Sequence, residues 1–256
     1  MKKRIKKKDL RLDPASNIKI KRTNYNFKKP PIPNGYRHVE GKWSNGFVIE
    51  RNSDGSQFVW IPIAILNNNG TRDGIKFDKK FGRRKYNDFC EFSQNGYHEL
   101  IDKEHLKSVK KYHGFYISRY EISKSKNEKP LSIAKGKKWC NVTALEARNI
   151  ASMMEKTEQV TSHLMYGSEY DSIMEWIRNY DKKFIVQKIP EGGIENLEVN
   201  NIYDLFSAED VITQELYKES LFVTRGGEEF EVTSRSYLYF SEKYDSTTFR
   251  VALCIS

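Results

Sequence analysis

The sequence predicts an α+β protein with short antiparallel strands, two main helices and much irregular loop, preceded by an extended basic N-terminal arm. Short apolar and aromatic runs alternate with turns rich in Gly, Asn and Asp, and two segments carry apolar residues at helical spacing. The first part of the chain shows neither pattern. With 256 residues, of which 13% are aromatic, the chain can bury a core.

The predicted arm covers residues 1–31, and one folded body covers residues 32–256. The first 30 residues contain 12 Lys or Arg and 2 Asp or Glu, so their net charge of +10 equals that of the whole chain and the body is neutral. Nucleic-acid binding by the body therefore has little electrostatic support. We expect the arm to dock on an acidic protein surface or on packaged nucleic acid, with a solubilising tail as the alternative. The residues assigned to this anchor are Lys2, Lys3, Arg4, Lys6, Lys7, Lys8, Arg11, Lys19, Lys21 and Arg22.

The strands of the body are predicted from short apolar runs. Residues 47–51 and 57–63 flank Asn-Ser-Asp-Gly at 52–55, and Asp-Gly is a strong hairpin signal. Polar residues 67–88 indicate a surface insertion, and the role of residues 67–113 as insertion or binding face stays open. Further strands are expected at 115–123, 221–227, 234–240 and 249–255.

Two helices are predicted between these strands. The first begins near Thr143, a plausible N-cap whose capping box is completed by Glu146. The apolar face expected for this helix consists of Leu145, Ile150, Met153 and Met154. The second helix covers about residues 168–179, with apolar Tyr170, Ile173, Met174, Trp176 and Ile177.

Several classes of protein are disfavoured by the sequence. No apolar run approaches the ~20 residues that cross a bilayer, and we expect no secretory signal because no apolar segment follows the first lysines. Cys90, Cys140 and Cys254 are too widely spaced for a metal-ligand cluster or a disulfide framework, which favours reduced thiols in a protein made in the cytoplasm.

Six segments, in this order, resemble the formylglycine-generating enzyme family, also called the sulfatase-modifying-factor domain family. They are residues 58–62 (FVWIP), 115–122 (FYISRYEI), 141–151 (NVTALEARNIA), 201–205 (NIYDL), 225–227 (RGG) and 248–251 (TFRV). The resemblance implies a decorated C-type-lectin-like fold from about residue 32 to the end. It also implies that Arg225 and Arg250 are buried and structural. Gly226-Gly227 suits a bend with positive φ.

Residues 162–177 (SHLMYGSEYDSIMEWI) are similar to a non-catalytic subgroup found in Gram-positive bacteria and their phages and prophages. The glycines and aromatics of residues 33–49 resemble the same subgroup.

The metal-binding residues that the family's enzymes use for catalysis are not found at the matching positions of this sequence. Its enzymes hold copper on two closely spaced cysteines between the RGG turn and the last strand, and residues 228–237 contain no cysteine. A related branch uses three histidines and iron. None of His38, His98, His105, His113 and His163 pairs at the i,i+4 spacing of a helical metal site, which leaves only a site assembled from distant segments. We therefore expect no enzyme activity and no catalytic residues.

The calcium-binding segment of the family is also altered, because its glycine and tryptophans are missing after residue 205. Asn201, Asp204, Glu209 and Asp210 still offer oxygen ligands, so no cofactor is expected, with calcium as the alternative.

The leading hypothesis is a phage or prophage virion component at a tail, baseplate or capsid surface. The arm would bind other virion proteins, and the body would contact a host-surface glycan or protein through Tyr237, Tyr239, Phe240 and Tyr244, whose alternative role is core or cross-strand packing. The alternatives are a cementing protein without host contact and a degenerate metal-dependent oxidase. The expected location is the virion, assembled in the host cytoplasm, with the bacterial cytoplasm as the alternative.

Overall fold

The computed structural model describes residues 29–42, 45–63, 65–66, 72–73, 90–92, 97–180, 197–207, 209–218, 220–227 and 235–256. The arm lies outside these residues except at 29–31, where Pro30 is buried and the carbonyl of Pro31 accepts a hydrogen bond from the Tyr116 hydroxyl at 2.9 Å. The proposed anchor residues all lie outside the described part of the chain, as does most of the predicted insertion at 67–88.

The described chain is α+β and consists mostly of strands, which confirms the predicted class. The strands are β1 (Tyr36–Glu40), β2 (Val48–Arg51), β3 (Gln57–Pro62), β4 (Ile65–Leu66), β5 (Arg72–Asp73), β6 (Cys90–Phe92), β7 (Tyr97–Glu99), β8 (Gly114–Ser118), β9 (Ser123–Lys124), β10 (Pro130–Leu131), β11 (Val160–Leu164), β12 (Glu198–Val199), β13 (Ile202–Tyr203), β14 (Asp210–Tyr217), β15 (Leu221–Gly226), β16 (Arg235–Tyr239), β17 (Thr247–Phe249) and β18 (Val251–Ile255). The helices are α1 (Lys103–Tyr112), α2 (Ala144–Met153) and α3 (Gly167–Tyr180).

The first large sheet has the order β1-β2-β3-β8-β18-β11, and every neighbouring pair in it is antiparallel. Side chains of a strand point alternately to the two faces of its sheet. In β3, Val59 and Ile61 enter one core together with residues of α3, whereas Phe58 and Trp60 enter the other core together with α2. The unbroken apolar run of β3 thus reflects burial on both faces.

The second large sheet has the order β16-β15-β14-β7-β6. Its pairs are antiparallel, and β17 adds a parallel pairing to β14. Ile212, Phe222 and Leu238 pack in the same core as α2. Strand β16 therefore ends this sheet within the described residues and leaves one of its edges open.

Helix α2 begins as predicted, but its buried face differs. The Thr143 hydroxyl accepts the Glu146 N–H, and the Glu146 carboxylate accepts the Thr143 N–H, which forms the expected capping box. Of the apolar face expected for this helix, Leu145 and Met153 are wrong, because they are 45% and 68% exposed. Met154 is buried and Ile150 packs against the core, as predicted, and the other buried positions are Ala144, Ala147 and Ala151, whose small side chains let the helix approach the sheet closely.

Helix α1 is a third helix where the sequence predicts two. Its N-cap Asp102 accepts the N–H groups of Glu104 and His105, and its C-cap His113 has a left-handed φ of 60°. Four of the ten residues of this helix are lysines, and few are apolar. The helical periodicity of apolar residues, on which the prediction of helices depends, is therefore weak here. Residues 97–113 therefore belong to the folded body.

The two arginines predicted to be structural are both fully buried. Arg250 donates to the backbone carbonyls of Ser118, at 3.1 Å, and of Tyr203. Arg225 pairs with the carboxylates of Asp171 and Glu215. The following Gly226 and Gly227 have φ of 79° and 85°, as the bend requires.

No helix among the described residues is long and apolar enough to cross a bilayer.

Candidate functional site

An exposed group of tyrosines, called here the tyrosine face, lies on the second sheet and consists of Tyr217, Tyr237 and Tyr239. Tyr237 and Tyr239 are 44% and 57% exposed. The rings of Tyr217 and Tyr237 stack with centroids 4.5 Å apart, and the Lys218 ammonium lies 5.2 Å from the Tyr217 centroid. The tyrosine face therefore combines open aromatic surface with one nearby cation.

The strand pattern explains this exposure. Tyr237 and Tyr239 are two residues apart on β16 and share one side of the strand, whereas Leu238 between them is buried. Strand β16 is the terminal strand of this sheet within the described residues. Tyr217, at the end of β14, was not predicted as part of the site, because only the sheet register brings it beside β16.

The other two predicted binding residues lie apart from the tyrosine face. The Phe240 ring packs edge-on against Phe222 at 5.0 Å and joins the border of a core. Tyr244 is 45% exposed in the segment before β17, where its carbonyl accepts the N–H groups of Asn141 and Thr247.

Among the predicted calcium ligands, Asn201, Glu209 and Asp210 already accept hydrogen bonds from protein donors. The Asn201 side-chain oxygen accepts from Arg119, and its amide donates to the Gly46 carbonyl. Glu209 binds Lys138 at 2.7 Å, and Asp210 accepts from the Thr224 hydroxyl at 3.3 Å. Asp204, with a left-handed φ of 57°, donates its N–H to the Leu197 carbonyl. Calcium binding stays a prediction.

A second group of functional side chains, called here the His–Glu cluster, consists of His105, His163 and Glu169. His105 lies on α1, His163 on β11, and Glu169 in the first turn of α3. Their possible ligand atoms all lie within 4.8 Å of one another. The Nε2 atoms of His105 and His163 are 2.8 and 3.1 Å from Oε1 of Glu169. The sequence did not reveal this cluster because its residues come from separate segments, although a site assembled from distant segments stayed open.

The Glu169 carboxylate is fully buried and remains ionised. Burial raises its pKa, but the adjoining His163 and His105 lower it more, so that the pKa falls to about 2. Oε2 also accepts the Tyr166 N–H at 2.8 Å at the start of α3, where an anion is favoured by the helix dipole.

Comparison with known proteins finds no match: no protein-family model, no curated protein and no solved structure is similar to the chain.

Proposed function

We propose that this chain is a non-catalytic component of a phage or prophage virion, with a lectin-like body that binds a host-surface glycan and a basic arm that holds it on the particle. The observation that carries the proposal is the tyrosine face, whose Tyr237 and Tyr239 are exposed on β16, the terminal strand of the second sheet among the described residues.

Exposed tyrosine rings suit sugar ligands. An aromatic face packs on the apolar C–H face of a pyranose ring, while the hydroxyl remains available for a hydrogen bond. Tyr237 and Tyr239 present such rings side by side, and stacking on Tyr217 fixes the orientation of one of them. A ring held in place loses less conformational entropy when a ligand binds.

The environments of Cys140 and Cys254 do not favour thiol chemistry. Burial raises the pKa of the Cys140 thiol to about 11, and the carboxylates of Glu209 and Glu121 contribute in the same direction. At neutral pH this thiol is therefore protonated and a poor nucleophile or metal ligand. Cys254, on β18, is buried, and its strand pairs it with Thr161.

The charge distribution of the sequence supports a separate anchor. The arm carries all the excess positive charge, which suits an acidic protein surface or packaged nucleic acid, and leaves a neutral body free for a different ligand.

A cell-binding assay tests the glycan ligand. Fluorescently labelled full-length protein is incubated with a panel of Gram-positive cells, with and without periodate oxidation of their surface sugars. We expect binding that is lost on oxidation and falls at least about fivefold in the double variant Tyr237→Ala/Tyr239→Ala, since each stacked aromatic contributes about 0.5–1.5 kcal/mol. Tyr244→Ala, an equally exposed tyrosine outside the tyrosine face, is the matched control.

Two results would contradict this ligand assignment. Binding that survives oxidation but is lost after protease treatment of the cells would indicate a protein receptor. Unchanged binding of the folded double variant would remove the tyrosine face from the site.

A further inference from the structure

We propose that the His–Glu cluster binds a divalent transition-metal ion, with Zn²⁺ the best match to two imidazole nitrogens and one carboxylate oxygen. This inference is independent of the tyrosine face and of what that face binds.

The spacing of the donor atoms fits such an ion. The two Nε2–Oε1 distances are 2.8 and 3.1 Å. Ligands that lie about 2.0–2.1 Å from a tetrahedral zinc ion are about 3.3 Å from each other. All the ligand atoms lie within 4.8 Å of one another, so the donors are grouped closely enough for the side chains to rotate around an ion between them.

The protein also holds the ligands in place. Glu169 uses Oε2 for the Tyr166 N–H, which leaves Oε1 as the oxygen nearest both histidines. The Tyr166 hydroxyl accepts the N–H of Asp102, the N-cap of α1, at 3.1 Å. This bond links the start of the helix that carries His105 to the start of the helix that carries Glu169. Such supporting hydrogen bonds orient metal ligands in known sites.

The exposure of the three ligand side chains indicates from which side an ion would enter the site. The side chains of His105 and Glu169 are 1% and 0% exposed, whereas that of His163 is 15% exposed. An ion would reach the cluster from the side of His163, and a water molecule on that side would supply the fourth ligand. Bound there, the ion would join α1, β11 and α3, so we expect it to stabilise the fold.

Metal titration of the full-length chain tests the proposal. The purified protein is treated with a chelator, dialysed and titrated with Zn²⁺ by calorimetry, and thermal unfolding is followed with and without the ion. We expect one equivalent of Zn²⁺ per chain and a higher Tm for the loaded protein. In His163→Gln, affinity should fall at least about 100-fold, because loss of a ligand costs more than the 10–100-fold known for its supporting partners. His38→Gln, a change at an exposed histidine, should leave affinity unchanged.

The visible absorption of bound Co²⁺ tests the metal site in the wild-type protein, without a variant. Four-coordinate Co²⁺ with nitrogen and oxygen ligands absorbs strongly in the visible region, whereas the hydrated ion absorbs weakly. An intense band that saturates at one equivalent and disappears on addition of Zn²⁺ supports the site. Absence of stoichiometric binding, absence of the band in the folded wild-type protein, or equal affinity in folded His163→Gln would overturn the proposal.

Discussion

Ion pairs of the buried Arg225 connect α3 to the second sheet. Arg225 contacts Asp171 of α3 and lies 3.5 Å from Glu215 of β14, and its guanidinium carbon is 4.7 Å from the Tyr170 ring centroid. Arg225 and Glu215 are both fully buried. Removing one member of such a group leaves a buried charge with less compensation.

Arg225→Met is therefore expected to destabilise the protein by about 3–5 kcal/mol, although the two side chains have similar volume. Urea denaturation at pH 7 measures the loss. Arg37→Met, which breaks an ion pair to Glu50 from a side chain that is 67% exposed, should change stability by no more than about 1 kcal/mol. Equal losses in the two variants would contradict the structural role of Arg225.

Asp210 gives a prediction about pH. Burial raises its pKa to about 6, and the Thr224 hydrogen bond only partly opposes this. An unfolded Asp has a pKa of about 3.9, so the folded state binds the proton more tightly. The resulting stabilisation is full below about pH 4 and is lost as the pH rises through 6.

We expect Asp210→Asn to be more stable than the wild type above pH 6, by up to about 3 kcal/mol, because the amide cannot ionise and can still accept from Thr224. The difference should close as the pH falls towards 4, and urea denaturation across this range measures it. Asp245→Asn, at an exposed position, is the control. A stability difference that is constant with pH would show that Asp210 does not titrate in this way.

Individual residues differ in how well the sequence predicts them. The burial of Arg225 and Arg250 was expected from the family resemblance of the segments that contain them. The His–Glu cluster could not be predicted, since His105 and Glu169 meet only through the packing of α1 on the sheet. Tyr217 depends in the same way on strand register.

At the level of elements, local signals in α2 determined the start of the helix better than its buried face. The capping box at Thr143 placed the start of α2, because capping involves residues close in sequence. The face of α2 depends on how near the helix lies to β11. That closeness favours alanines over the larger Leu145 and Met153.

Thr143→Ala should cost about 1 kcal/mol, since the first turn of α2 loses the hydroxyl that accepts the Glu146 N–H at 3.1 Å. Thermal and urea unfolding measure the change. Thr161→Ala, at an exposed position on β11, should stay within about 0.5 kcal/mol of the wild type. If the two variants lose equal stability, the cap contributes nothing specific.

At the level of the whole molecule, two large sheets and three helices surround two cores in the described part of the chain, and the neutral body bears the tyrosine face on the terminal strand of one of these sheets. The α+β class could be predicted because strand and helix periods are local properties. The positively charged arm is a separate part of the sequence. We propose that it attaches the protein to the particle while the body binds the ligand.

Sedimentation of a lysate from the source organism, followed by mass spectrometry of the fractions, tests this division most directly. Full-length protein is compared with a form that lacks residues 1–31. We expect the full-length protein to sediment with virus-sized particles and the truncated form to stay near the top of the gradient. A full-length protein that sediments as a free monomer would contradict this division.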